Sequence, residues 1–258
     1  MTSPGRSRCH LSVVIPAYNE EQRLGDSLEQ IAAYLDSPPI DAEVIVVDDG
    51  SSDATVRIAT EILRGRRAEV LSNAENRGKG YSVRRGVLAA TGRWVLLTDA
   101  DLSAPILEHK KLAAVVREHD IDVAIGSRGL EESEIEIRQN PIREAMGKTF
   151  NWCIRRMTDL PFRDTQCGFK LFDRERTRPL FQRMIVDRFA FDVEFLYLCM
   201  KLGLQVREVP VAWANAEGSK VSMLTDPANM LWDVARVRWR FRRGGYNPEE
   251  TAPAQGAS

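Results

Sequence analysis

Apolar residues in the first half of the chain follow two alternating periodicities. Short continuous apolar runs, typical of buried parallel strands, are each followed by a longer segment in which apolar residues recur every three or four positions, as in helices. This alternation predicts a mostly parallel central sheet with helices on both faces, an α/β architecture. The predicted strands are 11–15, 44–47, 69–72, 94–97 and 123–126, and the predicted helices are 20–34, 54–63, 79–90 and 105–118.

The second half of the chain is less regular. Its apolar spacing predicts helices over 141–157 and 189–202, and strands over 168–172 and 206–213. No Pro- or Ser-rich linker separates the halves, so we expect a single domain over 9–246. The polar segment 247–258 has the composition of a disordered tail.

Composition excludes several classes of protein. The chain has 258 residues with a formal net charge of -1, which argues against a dedicated nucleic-acid binder. The 4 cysteines form no C-x-x-C pair, which predicts reduced thiols in a cytoplasmic protein, and 3 scattered histidines do not predict a zinc site. No apolar stretch approaches the ~18 residues of a membrane span, so we expect none.

The triplet Asp99-Ala100-Asp101 follows the apolar run 94–97. The carboxyl ends of parallel strands open into the crevice where α/β proteins bind ligands. Two carboxylates there supply the oxygen ligands with which Mg²⁺ or Mn²⁺ is held against a nucleotide diphosphate. The alternative is that one Asp caps the next helix and the other is solvated surface.

Polar motifs also follow the other early strands: PAYNEE after the first, DDGSSD after the second, and NRGKG before the third predicted helix. Asp49 is suited to accept hydrogen bonds from a ribose or a base. Lys79 is placed at a helix start, where it either contacts a phosphate or belongs to an ordinary glycine turn. Neither G-x-G-x-x-G nor a P-loop is present, which disfavours dinucleotide oxidoreductases and P-loop kinases.

Taken in order, PAYNEE, VVDDGSSD, NRGKG and LLTDADLS resemble the family 2 glycosyltransferases of the GT-A fold. The resemblance implies that 9–128 is a half that binds a nucleotide sugar. It implies a divalent cation, Mg²⁺ or Mn²⁺, on Asp99 and Asp101. The implied donor-binding residues are Pro16, Tyr18, Glu20, Asp49, Lys79 and Asp99.

Motifs of the second half are similar to the dolichyl-phosphate glucosyltransferases and, next, to the dolichyl-phosphate mannose synthases. These motifs are GSR, RDTQCGFKLF, FAFDVEFLY, EVPVAW and EGSK. The resemblance implies hexose transfer, with UDP-glucose favoured over GDP-mannose, to a polyprenyl phosphate bound by an acceptor half, 129–226. The implied acceptor-binding residues are Arg128, Arg138, Arg143, Asp164, Gln166, Asp192 and Lys220. Arg128 joins Asp99 and Asp101 as a catalytic residue.

The nature of the acceptor dictates the expected mechanism. A phosphate monoester has a second pKa near ~6, so its oxygen is already an anionic nucleophile at neutral pH and needs no general base. One in-line displacement then inverts an α-linked donor to a β-linked product. An alcohol acceptor would instead need a base, for which Asp192 is the candidate. Two positions depart from the relatives: Ser103 stands where the mannose branch has a metal-binding Gln, and Asn215 replaces a Glu.

Segment 227–245 is predicted to be an amphipathic, basic helix with two apolar stripes. Arginines surround a stripe that includes Trp232, Ala235 and Trp239, and the other stripe includes Met230 and Val234. Basic residues beside tryptophans suit the surface of an anionic membrane, so we expect peripheral association with its cytoplasmic face. The alternative is that one stripe packs on the domain and the arginines are simply solvated.

Two other classes of function remain to be weighed against glycosyl transfer. A nucleotidyltransferase that makes sugar nucleotides should show a Gly-rich basic loop near its amino terminus, and PAYNEE is not such a loop. A membrane-surface lipid or nucleotide binder without catalysis would have little use for the acid pair at 99 and 101.

Overall fold

A computed structural model of the chain describes residues 9–130, 133, 151–214 and 226–246. The strands are β1 (Leu11–Ala17), β2 (Ala42–Asp48), β3 (Ala68–Ser72), β4 (Trp94–Leu97), β5 (Val123–Ser127), β6 (Lys170–Asp173) and β7 (Val206–Pro210). The helices are α1 (Leu24–Asp36), α2 (Thr55–Ile62), α3 (Lys79–Ala89), α4 (His109–Glu118), α5 (151–158), α6 (Arg174–Phe181), α7 (Phe191–Lys201) and α8 (Asp226–Arg242), and a 3-10 turn, Ile106–Glu108, precedes α4.

The described strands form one seven-stranded sheet in the order β3-β2-β1-β4-β6-β5-β7. Every neighbouring pair is parallel except those of β6, which is antiparallel to both β4 and β5. In the β4–β6 pair, Leu97 is opposite Lys170. Because antiparallel strands run in opposite directions, the residues just after β4 lie beside those just before β6. The acid triplet 99–101 therefore lies beside the segment 166–168.

Alternate residues of the strands face two separate cores, as expected of a sheet buried on both faces. On β1, Val13 and Ile15 belong to a core with α1, α2 and α4, whereas Val14 belongs to a core with α3 and the helices α5 to α8. The predicted architecture, a mostly parallel sheet covered by helices on both faces, is confirmed.

Several predicted elements differ from the observed ones in the second half. The strand predicted from 168 begins at Lys170, and the strand predicted to reach 213 ends at Pro210. Helix α6 was not predicted, although Asp173 caps it by accepting hydrogen bonds from the amides of Glu175 (2.9 Å) and Arg176 (3.0 Å). Its charged, Pro-containing sequence hides the apolar periodicity. Of the predicted helix 141–157, the structure describes only the part from 151, which is helical to 158.

Helix α8 separates two sets of apolar residues by burial. Met230, Val234 and Val237 are buried in the core against α7, whereas Trp232 and Trp239 are exposed over 72% and 56% of their surface. Within the parts of the chain that the structure describes, no helix has the length and apolar character needed to cross a bilayer.

Three phenylalanines from β6, α6 and α7 form the centre of the second core. Phe181 stacks on Phe195 at 4.9 Å and on Phe172 at 5.4 Å between ring centroids. We expect Phe181→Ala to lower the free energy of unfolding by about 3–5 kcal/mol, because a fully buried ring leaves a cavity. Chemical denaturation measures this. Leu107→Ala, at a position 58% exposed, is the control and should change stability little; equal effects of the two substitutions would contradict the assignment of this core.

Candidate active site

The acid triplet lies where the sequence predicts it, just beyond the carboxyl end of β4. The side chains of Asp99 and Asp101 retain 25% and 22% exposure. The Ser103 amide (3.0 Å) and hydroxyl (2.9 Å) both donate hydrogen bonds to Oδ1 of Asp101. The carbonyl oxygen of Ser103 accepts from the amide of Ala214 at 2.8 Å, which ties this turn to the segment after β7. Ser103 thus orients the second acid of the pair.

Lys79, the first residue of α3, forms an ion pair with the first acid. Its Nζ lies 2.6 Å from Oδ1 of Asp99. Burial alone would lower the pKa of Lys79, but the charges of Asp99 and Asp192 outweigh it and raise this pKa above its ordinary value. Burial would likewise raise the pKa of Asp99, and the Lys79 charge overcomes it, so this carboxyl has a lowered pKa. Both groups are charged at neutral pH.

Asp99 is also packed tightly against the strand-pairing partner of β4. The β4–β6 register places Gly168 opposite Asp99, and a Cβ on Gly168 would overlap both carboxylate oxygens of that acid. Glycine is therefore required at 168 for a steric reason. Its absent side chain makes the space that the Asp99 carboxylate fills.

The loops after β1 and β2 are joined to each other by reciprocal hydrogen bonds. The amide of Asn19 donates to Ser51 Oγ and the amide of Glu20 to Thr55 Oγ1, each at 2.8 Å. In return, the amide of Ser52 donates to Asn19 Oδ1 at 2.9 Å. The PAYNEE and DDGSSD motifs thus form one rigid wall of the crevice. On this wall Pro16 is buried and Tyr18 is 37% exposed.

Asp49 is buried, and its carboxylate binds the loop that carries Lys79. It accepts hydrogen bonds from the Asn73 side chain (2.7 Å) and from the amides of Arg77 (3.0 Å) and Gly78 (2.8 Å). Gly78 has a positive φ of 104°, which favours glycine. The predicted nucleotide-binding acid thus also fixes the turn from which Lys79 reaches Asp99.

Arg128 and Asp164, both predicted acceptor-binding residues, form a bidentate ion pair. Arg128 Nε and Nη2 lie 2.6 and 2.9 Å from the Asp164 oxygens, and the guanidinium stacks 4.7 Å from the centroid of the Trp213 ring. Burial alone would lower the pKa of Arg128, but the charge of Asp164 outweighs it and raises this pKa above its ordinary value. The guanidinium is therefore always charged. The charge of Asp99 contributes to the same rise in the pKa of Arg128.

Asp192 lies deeper, in a buried ion pair with Lys170. Lys170 Nζ is 2.6 Å from Asp192 Oδ1 and also donates to the carbonyl of Cys167, and the two side chains are 1% and 5% exposed. Burial raises the pKa of Asp192, with Lys170 and Lys79 partly opposing it. A buried carboxylate paired in this way orients the chain around it and is poorly placed to take up a substrate proton.

Of the remaining predicted residues, the structure describes Gln166 and Glu20 but not the other three. Gln166 is half-buried beside Arg128's partner Asp164 and lies 3.8 Å, from Nε2 to Sδ, from Met230 of α8. Glu20 forms an ion pair with Arg23, with 2.6 Å between Oε2 and Nη2. Arg138, Arg143 and Lys220 lie outside the described residues, as does Asn215.

The donor set at the triplet suits a hard divalent cation. Two partly exposed carboxylates, one fixed by Ser103 and one by packing on Gly168, match the one or two carboxylates that Mg²⁺ takes from proteins beside phosphate and water. Among the described residues, no third His, Cys, Asp or Glu completes a metal-binding group. Further ligands would come from the bound nucleotide and solvent.

Comparison with known sequences settles the family. The model of the family "Glycosyl transferase family 2" matches residues 12–188. The chain belongs to glycosyl transferase family 2. It is 39% identical over 249 residues to the dolichyl-phosphate beta-glucosyltransferase of Drosophila melanogaster, covering 92% of this chain and 76% of the relative. It is 33% identical over 247 residues to the enzyme of the same name from Dictyostelium discoideum, covering 91% and 76%.

Solved structures agree with the GT-A fold expected of this glycosyltransferase family. The chain resembles glucosyl-3-phosphoglycerate synthase from Mycobacterium tuberculosis, crystallised with Mn²⁺, UDP and glucosyl-3-phosphoglycerate. The TM-score is 0.67 at 21% identity, with 92% of this chain and 80% of that chain covered. Such low identity establishes the shared fold alone.

Three residues at this glycosyltransferase site escaped the sequence analysis: Arg23, Gly168 and Lys170. Lys170 had a usable signal, since a lysine inside the apolar run GFKLF predicts a buried charge that requires a partner. Gly168 acquires its meaning only from the antiparallel register with β4. Arg23 has no distinctive signal in the sequence, because a basic residue at a helix start is ordinarily solvated.

Gly168→Ala tests the packing of Asp99. We expect the added methyl group to displace the carboxylate and to weaken Mn²⁺-dependent UDP binding about tenfold or more, as loss of ligand orientation does at metal sites. Isothermal titration calorimetry measures this. The control is Gly25→Ala, whose methyl group would meet Ile58 and Ile62 at ordinary distances of 3.6 and 3.7 Å. Unchanged UDP affinity in a folded G168A protein would contradict the steric argument.

Proposed function

We propose that this glycosyltransferase moves glucose from UDP-glucose onto a polyprenyl phosphate of the dolichyl type, with inversion at the sugar. The names of its relatives support the sugar and the acceptor, since several are called dolichyl-phosphate beta-glucosyltransferase. The crystallised neighbours with UDP and Mn²⁺ or Mg²⁺ support the donor and a divalent cation.

One observation carries the proposal: Asp99 is in direct contact with Lys79, and the charge of Arg128 acts on the same carboxylate. Lys79 contacts it directly at 2.6 Å, and Arg128 is near enough for its charge to help lower the pKa of Asp99. A transferase needs the leaving diphosphate and the attacking phosphate on either side of one sugar carbon. A predicted donor-side cation, Lys79, and a predicted acceptor-side cation, Arg128, both acting on one acid, are consistent with that requirement.

On the donor side, Asp99 and Asp101 would hold a divalent cation, which supplies Lewis-acid stabilisation of the departing diphosphate when bound. The wall made by PAYNEE and DDGSSD gives the nucleotide a rigid surface. Tyr18 is an exposed aromatic residue of this wall and offers a ring face to the base.

On the acceptor side, Arg128 is positioned to bind the lipid phosphate. Asp164 grips the Nε and Nη2 edge, and Trp213 supports one face of the guanidinium, so the fork is pre-organised. The bound phosphate is already an anion and attacks the anomeric carbon without a base. The burial of Asp192 in its pair with Lys170 supports this base-free mechanism.

An assay of transfer tests the reaction. We expect glucose transfer from UDP-glucose to a short-chain polyprenyl phosphate with Mg²⁺ or Mn²⁺, and a loss of about 10²–10³-fold in kcat for Asp99→Asn, comparable to removal of one transition-state charge contact. Product formation is followed by thin-layer chromatography of radiolabelled sugar.

Three results of the same assay would contradict parts of the proposal. Transfer that survives both EDTA and the D99N substitution would overturn the role of the cation. Preference for GDP-mannose would overturn the donor, and turnover of a polyprenol with none of its phosphate would overturn the base-free mechanism.

We also propose that α8 attaches the protein to the cytoplasmic face of an anionic membrane. Trp232 and Trp239 are exposed, and Arg243 lies 4.2 Å from the centroid of the Trp239 ring. The contact between Gln166 and Met230 joins α8 to the loop that holds Arg128's partner. Helix α5 also exposes Trp152, over 63% of its surface. Exposed tryptophans on α8 and α5 suit contact with the interface of a membrane.

The double substitution Trp232→Ala and Trp239→Ala tests the attachment. We expect at least about tenfold weaker binding to vesicles of phosphatidylcholine and phosphatidylglycerol, because two interfacial rings are lost. Co-sedimentation measures this, and Leu107→Ala is the control at an exposed apolar residue outside α8. Activity on a short, water-soluble acceptor should persist. Vesicle binding equal to that of the unmodified protein would contradict the proposal.

A further inference from the structure

Each acid of the pair at 99 and 101 has its own side-chain cation. Lys79 Nζ lies 2.6 Å from Asp99 Oδ1, and Arg23 Nη1 lies 3.6 Å from Asp101 Oδ2. The two cations lie at the starts of different helices: Lys79 is the first residue of α3, and Arg23 is the N-cap residue of α1. The acids proposed to bind the metal are thus already electrostatically compensated within the protein.

Arg23 is held in this position by Glu20. The Arg23 Nε and Nη2 groups both donate to Glu20 Oε2, at 2.9 and 2.6 Å, and Nη1 is the nitrogen that approaches Asp101. A guanidinium gripped along one edge presents its remaining edge in a fixed direction. Glu20, a predicted donor-binding residue, therefore also acts as a positioning residue for Arg23.

These pairs bear directly on the binding of a divalent cation. A metal ion entering between Asp99 and Asp101 meets the positive charges of Lys79 and Arg23 and competes with them for the same oxygens. All four side chains are partly exposed, between 22% and 28%, so the cations have room to move away from the acids. A nucleotide diphosphate supplies the negative charge that would receive both of them, as Arg and Lys are both phosphate ligands.

We infer that Lys79 and Arg23 are built-in counter-cations of the acid pair, which weaken metal binding until a nucleotide diphosphate arrives and then bind that diphosphate. The inference assigns Arg23 as a diphosphate-binding residue, and it rests on the proposed function. Its consequence is thermodynamic coupling: metal and nucleotide each bind weakly alone and strengthen each other's binding by the same factor.

The experiment measures two affinities whose changes have opposite sign. Binding of Mn²⁺ alone is followed by the electron paramagnetic resonance signal of the free ion, and binding of UDP at saturating Mn²⁺ by calorimetry. For Arg23→Gln and Lys79→Gln we expect about tenfold tighter binding of Mn²⁺ alone and about tenfold weaker binding of UDP, within the range typical of coupled sites.

Two further variants sharpen the result. Arg23→Lys keeps the charge and loses the fork, so we expect Mn²⁺ affinity like that of the unmodified protein but weakened UDP binding. Arg57→Gln is the matched control, since it removes an exposed arginine whose ion pair with Glu61, at 3.0 Å on α2, is outside the site. Both affinities should stay unchanged in that variant.

The outcomes separate this inference from the proposed function. Mn²⁺ affinity that is unchanged or weaker in both R23Q and K79Q overturns the role as counter-cations, and unchanged UDP affinity in R23Q overturns the assignment of Arg23. These two results leave glucose transfer intact. A protein that shows the opposite-sign changes but transfers no sugar from UDP-glucose supports the inference and counts against the proposed function.

Discussion

The site depends on the antiparallel pairing of β6 with β4. Strand β6 is antiparallel to both of its neighbours, β4 and β5, whereas all other neighbouring strands of the sheet are parallel. Because β6 runs opposite to β4, the segment just before β6 lies next to the acid triplet. The register, Leu97 opposite Lys170, places Gly168 beside Asp99 and directs Lys170 to Asp192. A shift by one residue would turn Lys170 to the other face of the sheet. The strand pairing thus fixes the positions of Asp99 and Asp192 before any ligand contributes.

A second constraint is the pairing of opposite charges across the site. Lys79 pairs with Asp99, Lys170 with Asp192, and Arg128 with Asp164, so no sign accumulates among these six groups. Buried charges are tolerated only when paired, because an unpaired ion loses its solvation. The pairs differ in depth: Lys170 and Asp192 are fully buried and structural, whereas Lys79 and Asp99 are a quarter exposed. Exchange of partners on ligand binding is therefore open to the shallow pairs and closed to the deep one.

Sequence patterns predicted the first half well because its signals are local. Apolar runs such as 94–97 and punctuating Asp and Gly residues specify strands and their ends without reference to distant residues, and most strand ends were predicted within two residues. What could not be predicted arises from contacts between distant segments. The reversal of β6, the steric role of Gly168 and the pairing of Arg128 with Asp164 each need a register or a loop conformation that no local pattern encodes. Helix α6 was missed because its capping Asp173 precedes a polar sequence with little periodicity.

The loop that carries Lys79 and the end of α8 are connected through one short segment, residues 185–187. The carboxylate of Glu194 accepts the amides of Ile185 and Val186, each at 2.9 Å, and the hydroxyl of Tyr246, just after α8, at 2.6 Å. The carbonyl of Val186 lies where a Cβ on Gly80 would be, and that of Asp187 where a Cβ on Gly78 would be. The loop that carries Lys79 thus lies directly on a segment that Tyr246 helps to fix. Because Tyr246 follows the helix proposed to contact the membrane, that helix and the loop that carries Lys79 share one packed support.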